Sequence, residues 1–211
     1  MTVPYDCIIV ANGSFPTTAR PLELLHQTPI IIACDGAVQA LYNRGLTPTA
    51  IIGDMDSIPL SLRELYADRI HIVENQEIND LTKSVFYAHE AGYKHILILG
   101  ATGLREDHTL GNISLLLEHA PLFDRIEMLS DYGLFTPLTK TATLTSRPGQ
   151  QISIFSMYPC GEISTEGLRW PIHNRKLTAW WQGTLNEALS DTFTITLTET
   201  ARIIVFCASG E

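Results

Sequence analysis

Ala50-Ile51-Ile52-Gly53-Asp54-Met55-Asp56-Ser57 is an apolar run that stops at a glycine and passes directly into two carboxylates two residues apart. The same pattern recurs around it. Apolar residues 30–34 lead to Asp35-Gly36-Ala37, and 7–10 lead to Asn12-Gly13-Ser14. Residues 70–73 precede Asn79-Asp80-Leu81-Thr82-Lys83, and 96–99 run into Gly100-Ala101-Thr102-Gly103-Leu104-Arg105-Glu106-Asp107-His108. Short apolar runs without polar alternation imply strands buried on both faces, hence a mostly parallel sheet. Amphipathic segments at 37–43, 60–67, 80–91 and 109–119 separate them, and 125–129 adds a last strand. This alternation predicts a doubly wound α/β domain. Polar groups at successive strand ends of such a sheet converge on one crevice, where these folds take their ligands.

The pattern changes after about residue 131. Thr, Ser, Gly and Pro become frequent, and period-two alternation replaces helical spacing. Residues 192–197 and 201–207 read as strands with a turn at 198–200, and 151–157 and 177–181 as further strands. Short strands with turn signals between them predict a small all-β domain, a sandwich or a barrel. The boundary falls between 132 and 140, and is placed so that residues 1–135 form the α/β domain and 136–211 the β domain.

A formal net charge of −9 excludes a nucleic-acid backbone as partner, since such proteins gather Lys and Arg. It does not exclude a nucleotide whose phosphates carry magnesium. Cys7, Cys34, Cys160 and Cys207 form no C-x-x-C pair and lie mostly in or beside apolar runs, as free thiols in a reducing cytosol do. The histidines lack H-x-x-x-H spacing, so no zinc site is expected. The N-terminus lacks the features of a signal peptide, and no apolar stretch is long enough to span a membrane. The expected location is the cytoplasm.

Asp54 and Asp56, in a loop after a strand, can share a hard cation such as magnesium; alternatively one of them caps the segment after Ser57. Gly53 lets the backbone approach a ligand closely. Asn79 is a natural cap for the helix beginning at Asp80, and Asp80 and Lys83 share a helical face. The Gly100–His108 segment can offer backbone N–H groups and Arg105 to a phosphate, although it is neither a Walker A loop nor G-x-G-x-x-G. Asp107 can cap the next helix, and His108 and Asn112, four apart, face the same way. Carboxylates gathered with one Lys and one Arg suit a magnesium-bound polyphosphate, and thus an enzyme of phosphoryl-type transfer.

Taken in order, these motifs resemble those of the thiamine pyrophosphokinase (thiamine diphosphokinase) family. Asp35-Gly36-Ala37, Gly53 to Ser57, Gln76 to Lys83 and Gly100 to Asn112 follow the family's sequence of motifs. Gly167-Leu168-Arg169-Trp170-Pro171-Ile172 and Gly183-Thr184-Leu185-Asn186-Glu187 look like its two β-domain motifs. Asn79, Leu104 and Leu185 depart from the pattern, standing where Thr, Gly and Ser are expected. The resemblance implies an ATP-binding α/β domain and a sandwich-like thiamine-binding domain. It also implies a homodimer with the active site at the subunit interface, and transfer of pyrophosphate from ATP to the hydroxyethyl group of thiamine. Asp54, Asp56 and Asp80 would hold Mg2+; with Lys83 and Arg105 they form the expected catalytic set. Asp35, Gly36, Gln76, Asp107, His108 and Asn112 would bind the nucleotide, and Trp170, Thr184 and Asn186 the thiamine, with Trp180 and Trp181 competing for the aromatic wall.

Three rivals fit less of the chain. An aspartyl phosphatase needs Thr or Val where Ile58 stands, and a later acidic pair. A pyrophosphokinase of a pterin alcohol would share the phosphate machinery and differ in the β domain. A nucleotide- or thiamine-binding sensor would have no use for three acidic residues with Lys83 and Arg105.

Overall fold

The computed structural model describes residues 5–158 and 161–210, so Cys160 and the first four residues lie outside it. The chain divides into two compact units, Met1–Leu115 with Pro121–Asp131, and Leu116–Ala120 with Tyr132–Glu211.

In the first unit, six strands form the sheet: β1 (Cys7–Val10), β2 (Ile31–Cys34), β3 (Ala50–Gly53), β4 (Ile70–Ile72), β5 (His95–Leu99) and β6 (Arg125–Ser130). They lie in the order β6-β5-β1-β2-β3-β4, and every pairing is parallel. The chain moves outward from β1 to β4, then returns to the other side of β1 for β5 and β6. The order therefore reverses between β1 and β5, which makes the loops after those strands the walls of a crevice. β1, β2 and β3 are buried throughout, as their uninterrupted Ile, Val and Ala residues require. Each fully buried Ile or Leu contributes roughly 1.5–3 kcal/mol of transfer free energy.

The helices are α1 (Ala19–Gln27), α2 (Ala37–Tyr42), α3 (Leu60–Leu65), α4 (Asp80–Glu90) and α5 (Glu106–His119). Leu81, Ser84, Val85 and Ala88 form the buried stripe of α4, at helical spacing, and it packs on β2 and β3. Asn79 starts this helix as its sequence position predicts, its side chain accepting the N–H of Thr82 at 2.9 Å. The sequence reading did not include α1. Its Pro21 is compatible with a helix because it sits in the first turn, where no intrahelical N–H is needed. Neither Asp54 nor Asp56 caps α3; that position belongs to Pro59. No helix among the described residues is long and apolar enough to cross a membrane.

The second unit is antiparallel. β7 (Gly133–Leu138), β9 (Gln151–Tyr158), β11 (Asn186–Glu187) and β13 (Arg202–Ala208) form one sheet in the order β11-β9-β13-β7. β8 (Ala142–Thr145), β10 (Ile163–Glu166) and β12 (Thr192–Leu197) form another with β12 in the centre. Ile152, Ile154, Ile203 and Val205 of the first sheet meet Ile163, Phe193 and Ile195 of the second in one apolar core, the arrangement of a sandwich. β12 shows why: its Thr side chains face outward while Phe193 and Ile195 are buried.

The strand expected at 177–181 does not form. Trp180–Gly183 make a 3-10 turn instead. The Gln182 side-chain oxygen accepts the N–H groups of Thr178 and Ala179 at 2.7 and 3.2 Å, so these donors are taken from any ladder.

Candidate functional site

A cleft of about 590 Å³ opens at the strand ends of the first unit. Asp35, Asp54, Gln76, Asp80, Lys83, Arg105, His108 and Asn112 line it, together with Asn12, Gly13 and Leu104.

The acidic wall is built around β3. Met55 is buried in a left-handed conformation, φ +70°, which costs a non-glycine residue roughly 1–2 kcal/mol. Asp54 Oδ1 accepts the N–H of Asp56 at 3.3 Å across this kink, and Gln76 Nε2 donates to Asp54 Oδ2 at 2.9 Å. The Gln76 bond, then the Asp56 bond, hold the Asp54 carboxyl below the usual carboxylate range. Gln76 thus acts on a carboxylate. Ser57 Oγ donates to Asp56 Oδ1 at 2.8 Å.

Asp35, at the end of β2, completes the wall. A Cβ on Gly53 would lie 2.8 Å from that of Asp35, so Gly53 makes room for a neighbouring carboxylate. Asp35 Oδ2 accepts the N–H of Ser57 at 3.3 Å. Its Oδ1 is buried with no hydrogen-bond partner among the described residues. Burial pushes the Asp35 pKa up, hydrogen bonding to Ser57 pulls it down, and the nearby Asp80 and Asp56 charges add to the rise.

Ligand oxygens of Asp35, Asp54 and Asp56 lie within 4.8 Å of one another. An orphaned buried carboxylate oxygen beside two further carboxylates is costly unless a cation joins them. An all-oxygen donor set of this kind fits Mg2+. The expected trio had Asp80 in place of Asp35. Asp80 also lines the cleft, and its Oδ1 pairs with Lys83 Nζ at 2.9 Å, one turn along α4. The Lys83 side chain is only 2 % exposed, which makes Asp80 its local charge partner.

The opposite wall is cationic and more open. Arg105 grips Asp107 with two bonds, Nε to Oδ1 at 3.1 Å and Nη2 to Oδ2 at 2.5 Å. This grip, more than any other contact, holds the Asp107 carboxyl at about 2. α5 begins one residue before Asp107, so Asp107 lies in the first turn, accepts the N–H of His108 at 2.9 Å and does not cap the helix. Asn112 Nδ2 donates to the Ala101 carbonyl at 2.8 Å, and Asn79 Nδ2 approaches Asn112 Oδ1 at 3.5 Å. Asn112 therefore ties the loop after β5 towards the start of α4. His108 lines the cleft from the same helix face. Gly36, at the start of α2, is covered by Asn12: an added Cβ would meet the Asn12 amide nitrogen at 2.7 Å.

The aromatic candidates belong to the second unit. Trp170 is 56 % exposed, and buried Asn186 fixes its main chain. Asn186 Oδ1 accepts the Trp170 N–H at 3.1 Å, and Asn186 Nδ2 donates to the Trp170 carbonyl at 2.7 Å. Arg169 pairs with Glu187 at 3.0 Å and lies 5.9 Å from the Trp170 ring. Thr184 Oγ1 donates to the Trp181 carbonyl at 2.8 Å, which secures the 3-10 turn. Leu185 is exposed at φ +58°, and its N–H reaches Ser153 Oγ at 3.2 Å.

A doubly wound domain with a carboxylate-rich switch-point cleft, followed by an antiparallel sandwich, places the chain among two-domain α/β-plus-β proteins. Two family models match it: thiamin pyrophosphokinase, catalytic domain, over residues 22–129, and thiamin pyrophosphokinase, substrate-binding domain, over residues 133–206. The chain belongs to the thiamin pyrophosphokinase family. It is 33% identical over 147 residues to thiamine pyrophosphokinase 1 of Oryza sativa subsp. japonica, an alignment covering 62% of this chain and 55% of that protein. It is 27% identical to thiamine pyrophosphokinase of Bacillus subtilis (strain 168), over 81% of this chain and 83% of the relative. The chain spans about half the length of rice thiamine pyrophosphokinases 1 and 2. Among solved structures, thiamin pyrophosphokinase from Geobacillus thermodenitrificans has the same fold, with a TM-score of 0.80, 22% identity, and 97% and 98% of the two chains covered.

Proposed function

We propose that the chain is a thiamine diphosphokinase that transfers the terminal pyrophosphoryl group of ATP to thiamine. Residues 1–135 bind the nucleotide and residues 136–211 the thiamine. The hydroxyethyl oxygen of thiamine attacks the β-phosphorus. The bond from that phosphorus to the α–β bridging oxygen breaks, AMP leaves, and the hydroxyl proton passes to a carboxylate. The supporting observation is the gathering of the Asp35, Asp54 and Asp56 carboxylates at the ends of β2 and β3, together with a buried Asp35 oxygen that has no hydrogen-bond partner among the described residues.

In this reading Asp35, Asp54 and Asp56 hold Mg2+, which when bound offsets charge on the triphosphate. Asp80 stands outside the trio, positioned by Lys83, and accepts the hydroxyl proton. Lys83 and Arg105 balance charge developing on the transferred and leaving phosphates. Asp107 orients Arg105, while Gly36, Gln76, His108 and Asn112 shape the nucleotide site. Trp170 offers its ring to the cationic thiazolium, with Asn186 and Thr184 holding the loops around it. The family resemblance further supports a cytoplasmic homodimer, in which the thiamine domain of one subunit serves the nucleotide domain of its partner.

A coupled AMP-release assay with magnesium-ATP, with and without thiamine, tests the reading. AMP release that requires thiamine, with thiamine diphosphate identified by mass, is expected. Phosphate release independent of thiamine would overturn it in favour of a hydrolase.

A further inference from the structure

The loop after β1 is placed between the two walls of the cleft and touches both. Towards the acidic wall, Asn12 covers Gly36, next in sequence to Asp35. Towards the cationic wall, Gly13 N–H donates to the Gly100 carbonyl at 2.6 Å and Ser14 N–H to the Thr102 carbonyl at 2.8 Å. Ser14 Oγ then donates to the Gly103 carbonyl at 2.8 Å. The fit leaves no slack: a Cβ on Gly13 would lie 2.5 Å from the Gly100 oxygen, and one on Gly103 would lie 2.7 Å from Ser14 Cβ and Oγ. Gly103 also has φ +87°, a conformation that glycine adopts freely. Arg105 follows two residues later.

We infer that Asn12-Gly13-Ser14 is a positioning bridge that sets the separation between the carboxylate trio and Arg105. Ser14 is its adjustable contact, acting on the nucleotide through Gly103 without touching it. The inference rests on the proposal that this cleft takes a nucleotide triphosphate. The physical reason is reach. A triphosphate spanning the cleft must meet both walls at once, and an error of about 1 Å in their separation is enough to lose much of the benefit of prior orientation. Hydrogen bonds between two irregular loops can supply that precision because each backbone donor has a single defined acceptor.

The test uses the full-length protein, with ATP as the probe. In Ser14→Ala the backbone bonds remain and only the hydroxyl is lost. Magnesium-ATP affinity, measured by titration calorimetry without thiamine, is expected to weaken about 5- to 10-fold. In turnover, KM for ATP should rise by a similar factor while KM for thiamine and the melting temperature stay within error. A merely structural Ser14 would lower the melting temperature and leave the ATP parameters unchanged, and that result would overturn the inference. Gly103→Ala gives a second route. It should weaken ATP binding in the parent protein, and less so in a Ser14→Gly background where the facing side chain is gone. Additive effects of those two substitutions would also count against the bridge. Loss of ATP affinity in Ser14→Ala alongside an absence of thiamine-dependent turnover in the parent protein would remove the proposed reaction and leave the bridge intact.

Discussion

The cleft of the first unit and the Trp170 loop of the second present their functional groups by different means. In the first, the acidic and cationic residues follow parallel strands, so the main chain of a sheet with a fully buried centre sets their positions. In the second, one side chain does that work: Asn186 accepts from and donates to the main chain of Trp170. On the proposed function, the difference means that phosphate chemistry would rest on the fold itself, whereas acceptor recognition would rest on a few replaceable side-chain bonds. Changes in the first region should therefore remove turnover without unfolding the protein, and changes in the second should shift thiamine recognition and local stability.

The largest effect is expected from Asp56→Ala. Asp56 is exposed and outside the core, so folding should survive. Turnover with magnesium-ATP should fall about 10³-fold, equivalent to about 4 kcal/mol of barrier, while thiamine binding followed by tryptophan fluorescence persists. Asp80→Ala should behave alike in turnover. Normal rates in both variants would break the assignment of the carboxylates.

Asn186→Ala comes next. It removes the two hydrogen bonds to the Trp170 main chain and a third from the Glu187 N–H, a loss of about 2 kcal/mol in stability by denaturant titration. KM for thiamine should rise at least tenfold and KM for ATP should not change. Equal changes in both would blur the contrast between the two regions.

Asp131 probes the anchoring of the first unit. Burial works against its charge, but hydrogen bonds from the backbone and hydroxyl groups of Thr17 and Thr18 hold its carboxyl at about 2. A folded-state value below that of the unfolded chain means that protons bind the unfolded form better. The contribution is complete above about pH 4 and is lost as pH falls towards 2. Discounted for solvent exposure, it is worth about 1 kcal/mol. Asp131→Asn should lower the melting temperature at pH 7 by a few degrees and flatten its decline between pH 4 and pH 2. An unchanged acid profile would remove Asp131 as an anchor.

The smallest effect belongs to Leu185→Gly. Leu185 is exposed in a left-handed conformation that favours glycine. The substitution should be neutral or stabilise by up to about 1 kcal/mol, while KM for thiamine rises modestly. A clear loss of stability would show that the Leu185 side chain is packed in a way its exposure does not suggest.

These two regions were unequally legible in the sequence, for the same physical reason. Buried parallel strands leave apolar runs, uninterrupted in β1 and β2 and broken by a polar residue in β4 and β6, so the strands of the first sheet and the polar residues at their ends could be read directly. Period-two alternation exposed β12 and, more weakly, β9, while β13 was legible as an apolar run. Pro137 and Gly133 obscured β7, since both weaken a strand signal. The turn at Trp180–Gly183 was misread as a strand because its determinant is a side-chain bond from Gln182, which has no periodicity. Within the cleft, the sequence placed Asp80 among the metal ligands because it lies in a conspicuous acidic motif. The spacing of Asp80 and Lys83 gave their shared helix face, but not the burial of the Lys83 side chain beside it. Nor could it show that Gly53 clears the space for Asp35, which depends on a contact between segments apart in sequence. The bridge from Asn12 to Ser14 was visible as a strand-end motif, but its partners after β5 lie almost ninety positions away.

The most direct test of the central claim is a single-turnover reaction with γ-labelled ATP, quenched and resolved for nucleotides and thiamine phosphates. Transfer of the pyrophosphoryl group as a unit predicts label in the terminal phosphate of thiamine diphosphate, with AMP formed in equal amount and neither ADP nor thiamine monophosphate at any time. Labelled thiamine monophosphate appearing with ADP before the diphosphate would contradict the account, because the attack would then fall on the γ-phosphorus.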